Sequence, residues 1–173
     1  MKYFIIRDNS DVDSRLAIFD FNGNEVFKVS GEISGNNQKM AISNINTIIN
    51  DDIHKVWDIV FAVDKYSAWR SDLSKTEIIN EKQFIEYTKD GYATTFSITA
   101  VEPYNRWEFD MENSNMAGHW TGIFTAKGNE TQIDFTENVT PKKWFMKPFV
   151  KLYLKKQQTQ FVLDLKKALE QQS

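Results

Sequence analysis

The 173-residue sequence predicts an α+β fold, a curved antiparallel sheet wrapped around a long C-terminal helix. Three observations carry that expectation. Residues 75–139 hold to a period of two, with turn formers at short, regular intervals, which is the pattern of an antiparallel meander. Residues 143–172 contain no Gly and a single proline, Pro148, and space their apolar residues helically. Before the meander lie one strand and two short helical segments. The element order is therefore strand, two short helices, six-strand meander, long terminal helix, preceded by a small β-hairpin extension.

The hairpin is read from Leu16 to Phe21 and Glu25 to Val29, which flank Asn22-Gly23-Asn24, a turn that tolerates positive φ. Tyr3 to Arg7 is expected to add a third strand. Gly31 to Lys39 is rich in turn formers and reads as a polar linker. We place a boundary there, with residues 1–38 as a β-rich extension and linker and residues 39–173 as the main domain. An extension of this size is small for a core of its own, so it is expected to pair with the main domain or a second chain.

The main domain opens on Ala41 to Ile49, a strand with Ile at positions 42, 45, 48 and 49, and Asn50-Asp51-Asp52 follow as helix-capping residues. Val56, Trp57, Val60 and Phe61 share one helical face, and Val63 to Trp69 continues as a second short helical turn. Turns within the meander fall at Asn80-Glu81, Asp90-Gly91, Glu102 to Asn105, Glu112 to Asn115 and Gly128-Asn129. In the terminal helix Phe149, Leu152, Tyr153, Phe161, Leu165 and Ala168 mark the apolar stripe. Pro148 sits early enough to kink this helix or to separate a short first turn from it.

Composition excludes several classes of chemistry. There is no Cys, which removes disulfides, thiolate metal sites and cysteine nucleophiles, and the two His, His54 and His119, make a His-based metal centre improbable. No metal or cofactor is expected. No apolar run is long enough for a membrane span or an export signal, so a cytoplasmic location is the default expectation. The net charge of −3 argues against nucleic-acid binding. It is uneven: from Lys142 onward eight Lys face only Asp164 and Glu170, a net of +6. A solvated lysine face explains this most simply, and membrane contact through the basic terminal helix is the sharper alternative. Phosphate-binding loops, nucleophile elbows and zinc or calcium motifs are missing from the sequence.

In this order, the opening strand running into Asp52 to Val60, then Asp64 to Trp69, the Val101-Glu102-Pro103 turn and Gly118 to Phe124 resemble the START and Bet v 1-like (SRPBCC) superfamily. The likeness is to its bacterial polyketide cyclase/dehydrase branch and covers residues 40–173. It implies the helix-grip fold, with a hydrophobic cavity between sheet and helix used for lipids, polyketides or aromatic metabolites. It does not imply one chemistry, because such folds host carriers, cyclases and co-chaperone-like domains.

Short turns let the strand register be sketched from the residues alone. Closing the turn at Asn113 pairs Trp107 with Trp120 and Phe109 with Gly118. Closing Gly128-Asn129 pairs Trp120 with Glu137, Gly122 with Phe135 and Phe124 with Ile133. Carrying the same face through the earlier turns adds Ala100, Ile98 and Phe96, then Ile85 and Tyr87. The expected pocket residues are Ile85, Tyr87, Phe96, Ile98, Trp107, Phe109, Gly118, Trp120, Gly122, Phe124 and Phe135, with Phe149 and Tyr153 from the helix. The opposite face gathers Arg106, Glu108, Asp110, His119, Thr121, Asp134, Thr136 and Asn138 and should meet solvent. On it His119 is expected to face Glu108 as a solvated pair rather than a catalytic one. His54 is read as a surface residue.

Glu137 is the misplaced group, a carboxyl on the apolar face where desolvation raises its pKa unless a cation compensates. It is the one candidate for acid/base work. A solvated or lysine-paired position at the pocket rim is the plainer alternative. Tyr87, Trp144 and Tyr153 are candidate donors near the mouth. The aromatic wall could pack on the helix simply as core, and it is the resemblance that favours a cavity there. Three readings stay open: a carrier or binder of a hydrophobic small molecule, a cyclase/dehydratase-like enzyme using Glu137, and a protein-interaction or co-chaperone-like domain. Ligand identity, turnover and oligomeric state are not legible in the sequence.

Overall fold

The computed structural model describes residues 15–19, 25–30 and 40–171. The chain divides into two compact units, one ending at Asn37 and one starting at Gln38. In the first, β1 (Arg15–Phe19) and β2 (Glu25–Ser30) pair antiparallel, with Leu16 opposite Val29 and Ile18 opposite Phe27. The expected strand at Tyr3 to Arg7 and the linker lie outside the described residues.

The second unit begins with β3 (Ala41–Ile49). Asp52 caps α1 (Ile53–Phe61) by accepting a hydrogen bond from the His54 N–H, an arrangement worth about 1 kcal/mol. A 3-10 turn at Val63–Lys65 leads into α2 (Tyr66–Trp69). The meander comprises β4 (Leu73–Asn80), β5 (Gln83–Thr88), β6 (Ala93–Glu102), β7 (Arg106–Glu112), β8 (Met116–Lys127) and β9 (Glu130–Pro141). A second 3-10 turn at Trp144–Met146 precedes α3 (Lys147–Glu170). Pro148 lies in the first turn of α3, where its missing N–H has no helical acceptor to lose, so it starts the helix rather than kinking it.

All seven strands form one antiparallel sheet in the order β3-β9-β8-β7-β6-β5-β4. The opening strand thus joins the end of the meander, and α3 packs over the concave apolar face. Its buried line runs through Val150, Leu154, Gln158, Val162, Leu165 and Leu169 at intervals of three and four. This line lies beside the expected stripe in the first half of the helix. Phe149 and Leu152 are exposed, whereas Leu165 and Ala168 are buried as expected.

The register between β8 and β9 matches the sequence reading, with Trp120 opposite Glu137, Gly122 opposite Phe135 and Phe124 opposite Ile133. Between β7 and β8 it differs by two residues. Trp107 faces Gly122, Phe109 faces Trp120, and His119 faces Asp110 rather than Glu108. The turn is centred on Ser114-Asn115, because the Asn113 N–H donates to the Met116 carbonyl and the Asn113 carboxamide oxygen accepts from the Asn115 and Met116 N–H groups. Moving a turn centre by one residue moves each partner by two and keeps every side chain on its face.

The β5–β6 turn has the larger consequence. Thr88 pairs with Tyr92 across a three-residue loop closed by Gly91 at φ 77°. An odd loop reverses the face of the preceding strand, so Phe84, Glu86 and Thr88 point inward. Ile85 and Tyr87 point out. A bulge after Ile98 likewise turns Ala100 to face Glu108 on the outer side.

Candidate functional site

Between the sheet and α3 lies a cavity of about 120 Å³. Its apolar wall is built by the sheet register, which stacks aromatic residues of successive strands on one face. Phe109 and Trp120, directly opposite on β7 and β8, lie with ring centroids 4.7 Å apart and planes within 5°. Trp107 meets both edge-on at 5.0 and 5.7 Å, and Phe135 sits 4.9 Å from Trp120. Phe96 from β6 and Leu154 and Phe161 from α3 complete this wall.

Gly122 explains how Trp120 fits. A Cβ at position 122 would lie 2.1 Å from Cη2 of the Trp120 indole, which occupies the space a side chain would take. Gly118 serves the strand pairing instead, since a Cβ there would meet the Asn138 carbonyl oxygen at 2.7 Å. These two glycines admit close neighbours.

The cavity's other side is polar. Arg70 caps the C-terminus of α2, and its guanidinium donates to Glu86 on β5 at 2.8 Å and, through two nitrogens, to Asp72 at 3.1 and 2.8 Å. The same group lies over the rings of Tyr66 and Phe161, 5.1 and 5.2 Å from their centroids. Burial raises the Glu86 pKa, with Asp72 adding repulsion, while Arg70 opposes both. Burial disfavours the Arg70 cation, yet Glu86 and Asp72 outweigh it and keep the guanidinium firmly protonated. Asp164 on α3 accepts from the Ser71 N–H and hydroxyl, each at 2.7 Å, which ties the helix to the segment carrying Arg70. Gln158 accepts from the Ser43 hydroxyl at 2.7 Å and donates to its carbonyl, which fixes α3 to β3.

Glu137 reaches the cavity from β9. Its Oε2 is buried and has no hydrogen-bond partner among the described residues. Burial pushes its carboxyl up to about 7, with Glu86 adding repulsion and Arg70 partly offsetting both. The Trp107 indole N–H, on another cavity-lining residue, is also buried without an acceptor. Buried polar atoms left unpaired cost about 1–3 kcal/mol each, so a site holding both an unused donor and an unused oxygen is suited to a ligand that pairs them. Thr88, Tyr92, Thr94, Asn113 and Met116 line the rim at the β5–β6 and β7–β8 turns, and Tyr153 and Gln157 face them from α3. Burial raises the Tyr153 hydroxyl pKa, with lesser contributions from Asp72 and Glu137.

A family model described as polyketide cyclase/dehydrase and lipid transport matches residues 43–170. The chain belongs to that family. No curated protein matches it. Among solved structures, a START superfamily protein from Mycobacterium smegmatis superposes with a TM-score of 0.69 at 12% identity, over 76% of this chain and 99% of that one. A conserved protein from Geobacillus kaustophilus gives 0.66 at 13% identity, over 75% and 95%. The Zhui aromatase/cyclase from a Streptomyces species gives 0.64 at 13% identity, over 76% and 94%. At such identities the likeness is one of fold, the START-like helix grip.

Within this family fold, the structure brings Phe96, Trp107, Phe109, Trp120, Phe135, Glu137 and Tyr153 together around the cavity. The remaining expected pocket residues lie elsewhere. Phe124 is buried against Trp57 and Phe135 in the core beyond the cavity, and Ile98 packs on the edge of that core. Gly118 and Gly122 do not line the cavity, and the Asn138 carbonyl and the Trp120 ring fill the space their side chains would take. Phe149 is 46% exposed on the flank of α3. Ile85 and Tyr87 stand on the outer face, where Tyr87 donates to Glu77 and carries the Lys75 ammonium 4.4 Å above its ring. Trp144 heads the second 3-10 turn, and its side chain lies outside the described residues.

On the outer face His119 contacts Asp110 at 2.7 Å and sits 3.8 Å from Glu108. His54 is exposed beside Asp52. Among the described residues no group of three acidic or His side chains converges as a metal site. No described helix is long and apolar enough to cross a membrane. Sequence reasoning missed Arg70, Asp72 and Glu86. The available signal was Glu86 itself, an acidic residue alternating with Phe84 and Thr88 in a strand whose turn contains three residues.

Proposed function

We propose that this family member binds a small hydrophobic molecule between its sheet and α3. The observation that carries the reading is the cavity, aromatic on one side and furnished with two unpartnered buried polar atoms, Glu137 Oε2 and Trp107 Nε1. Its volume of about 120 Å³ is close to that of engineered apolar cavities, about 150 Å³, that take up benzene. A single ring or the end of an alkyl chain fits this space, with polar groups of the ligand directed to Glu137 or to the rim.

The test is a titration of the full chain with single-ring and short-chain ligands, followed by tryptophan fluorescence and NMR. Trp107 and Trp120 report because they form the wall. Saturable binding that is lost in Thr94→Phe, which adds a ring at the rim, supports the reading. Binding equally strong in that variant places the ligand outside the cavity and sinks it.

A second reading follows from Glu137. A carboxyl that loses its proton near pH 7 inside an aromatic cavity is poised for general acid/base work, and a cyclase/dehydratase-like enzyme would use it so. The cavity volume favours the binder over a cyclase acting on an extended polyketide held wholly inside. Turnover of a poly-β-ketone substrate by wild type and its loss in Glu137→Gln would establish the enzyme. No turnover by wild type across pH 5–9 would exclude this chemistry for that substrate.

A further inference from the structure

We propose that the cavity selects a hydrophobic amine, seating its ammonium group against Glu137. This inference rests on the proposed ligand-binding function and names the class of ligand. It begins from the charges around the cavity. Arg70 is the only basic residue among the described cavity-lining residues, against the carboxyls of Asp72, Glu86 and Glu137. Its guanidinium is already committed to two of them, donating to Asp72 and Glu86 together. Glu137 is left with a buried oxygen that no described residue satisfies.

An anionic ligand would add charge to a site that is already acidic and would leave Glu137 unpaired. A neutral alcohol can donate to the oxygen but brings no charge to offset that of the carboxylate. An ammonium group supplies both the donor and the opposite charge, an ion pair that is strongest where water is excluded. Aromatic ring faces attract cations within about 6 Å. The cavity already holds one cation in that manner, with Arg70 over Tyr66 and Phe161. Trp120, the cross-strand partner of Glu137, is stacked on Phe109, so the wall beside the carboxylate is apolar and suits the hydrocarbon part of the amine.

The preference depends on pH. Glu137 is faced by Arg70 from the end of α2, Asp72 beyond it, Glu86 on β5, Tyr92 at the rim and Tyr153 on α3, with Ser43 of β3 on its other side. Of these, Arg70 stays charged throughout, and burial raises the Tyr153 hydroxyl above its ordinary value. Burial carries the Glu137 proton up to about 7. Below that pH the carboxyl is neutral and the amine gains nothing over an alcohol. Above it the ion pair forms.

Three probes of one skeleton test the proposal: 2-phenylethylamine, 2-phenylethanol and 3-phenylpropionate, titrated into wild type and Glu137→Gln at pH 5.5 and 8.5. The readout is the ratio of amine to alcohol affinity. Wild type at pH 8.5 should favour the amine by about tenfold or more and bind the carboxylate weakest; the preference should shrink several-fold at pH 5.5. In Glu137→Gln, checked for a native near-UV spectrum, the ratio should fall close to one at both pH values. An amine that binds wild type no tighter than the alcohol overturns this inference and leaves the proposed binding function intact. A tenfold preference that survives in Glu137→Gln also overturns it. Failure of all three probes to bind wild type overturns both.

Discussion

Replacing Glu137 by Gln should make the protein more stable, and by an amount that depends on pH. The glutamate holds its proton to about pH 7 in the folded chain against an ordinary value of 4.5. Below pH 4.5 the carboxyl is neutral folded and unfolded, and burial costs it little beyond its unpaired oxygen. Between 4.5 and 7 the unfolded chain gives up the proton while the folded chain keeps it, so stability falls as pH rises. Above about 7 the folded chain carries a buried carboxylate, and the full difference between the two values applies, about 3 kcal/mol. Glutamine has nearly the same shape and never ionises. Urea unfolding of both proteins at pH 4.5 and 8.5 reads the difference directly. The variant should match wild type at the lower pH and exceed it by about 2–3 kcal/mol at the higher. A difference that stays flat across this range would refute the view that Glu137 lies desolvated and unpaired in the cavity.

Gly122→Ala places a methyl 2.1 Å from the Trp120 ring position and should cost about 1–3 kcal/mol in urea unfolding, with a changed near-UV circular dichroism signal as the indole moves. Arg70→Met strands two carboxylates and should cost about 3–5 kcal/mol; adding Glu86→Leu should recover much of that loss. Equal stability of the single and double variants would show that Arg70 and Glu86 are not coupled. His119→Gln disturbs only contacts on the outer face and should leave both the unfolding midpoint and ligand affinity unaltered.

Local pattern carried the scaffold. Asp52 was legible as a cap, β3 as a strand from Ala41 to Ile49, and β8–β9 as a register closed by Gly128, because each depends on residues close in sequence or on a tight turn. What failed was parity at the Asp90-Gly91 turn. Ile85 and Tyr87 look like the apolar half of β5, but a three-residue loop turns Phe84, Glu86 and Thr88 inward. Glu86 tolerates that position because Arg70, sixteen residues earlier, reaches it. Asp164 meets Ser71 across ninety-three residues. No local periodicity encodes partners so distant. Glu137 was legible because its register came from the turn at Gly128-Asn129, whereas the direction of the α3 face was blurred by Phe149 and Leu152. Both are large and apolar, and both remain on the solvent flank of the helix.

The most direct measurement is native mass spectrometry of the full chain purified from the organism that makes it, with the same sample analysed again after unfolding. A cavity that binds a small hydrophobic molecule should give a stoichiometric mass increment that disappears on unfolding and releases a ring- or chain-bearing compound. A bare mass in the native spectrum, together with no affinity of that sample for any single-ring or short-chain probe, would contradict a ligand-binding role for the space between sheet and helix.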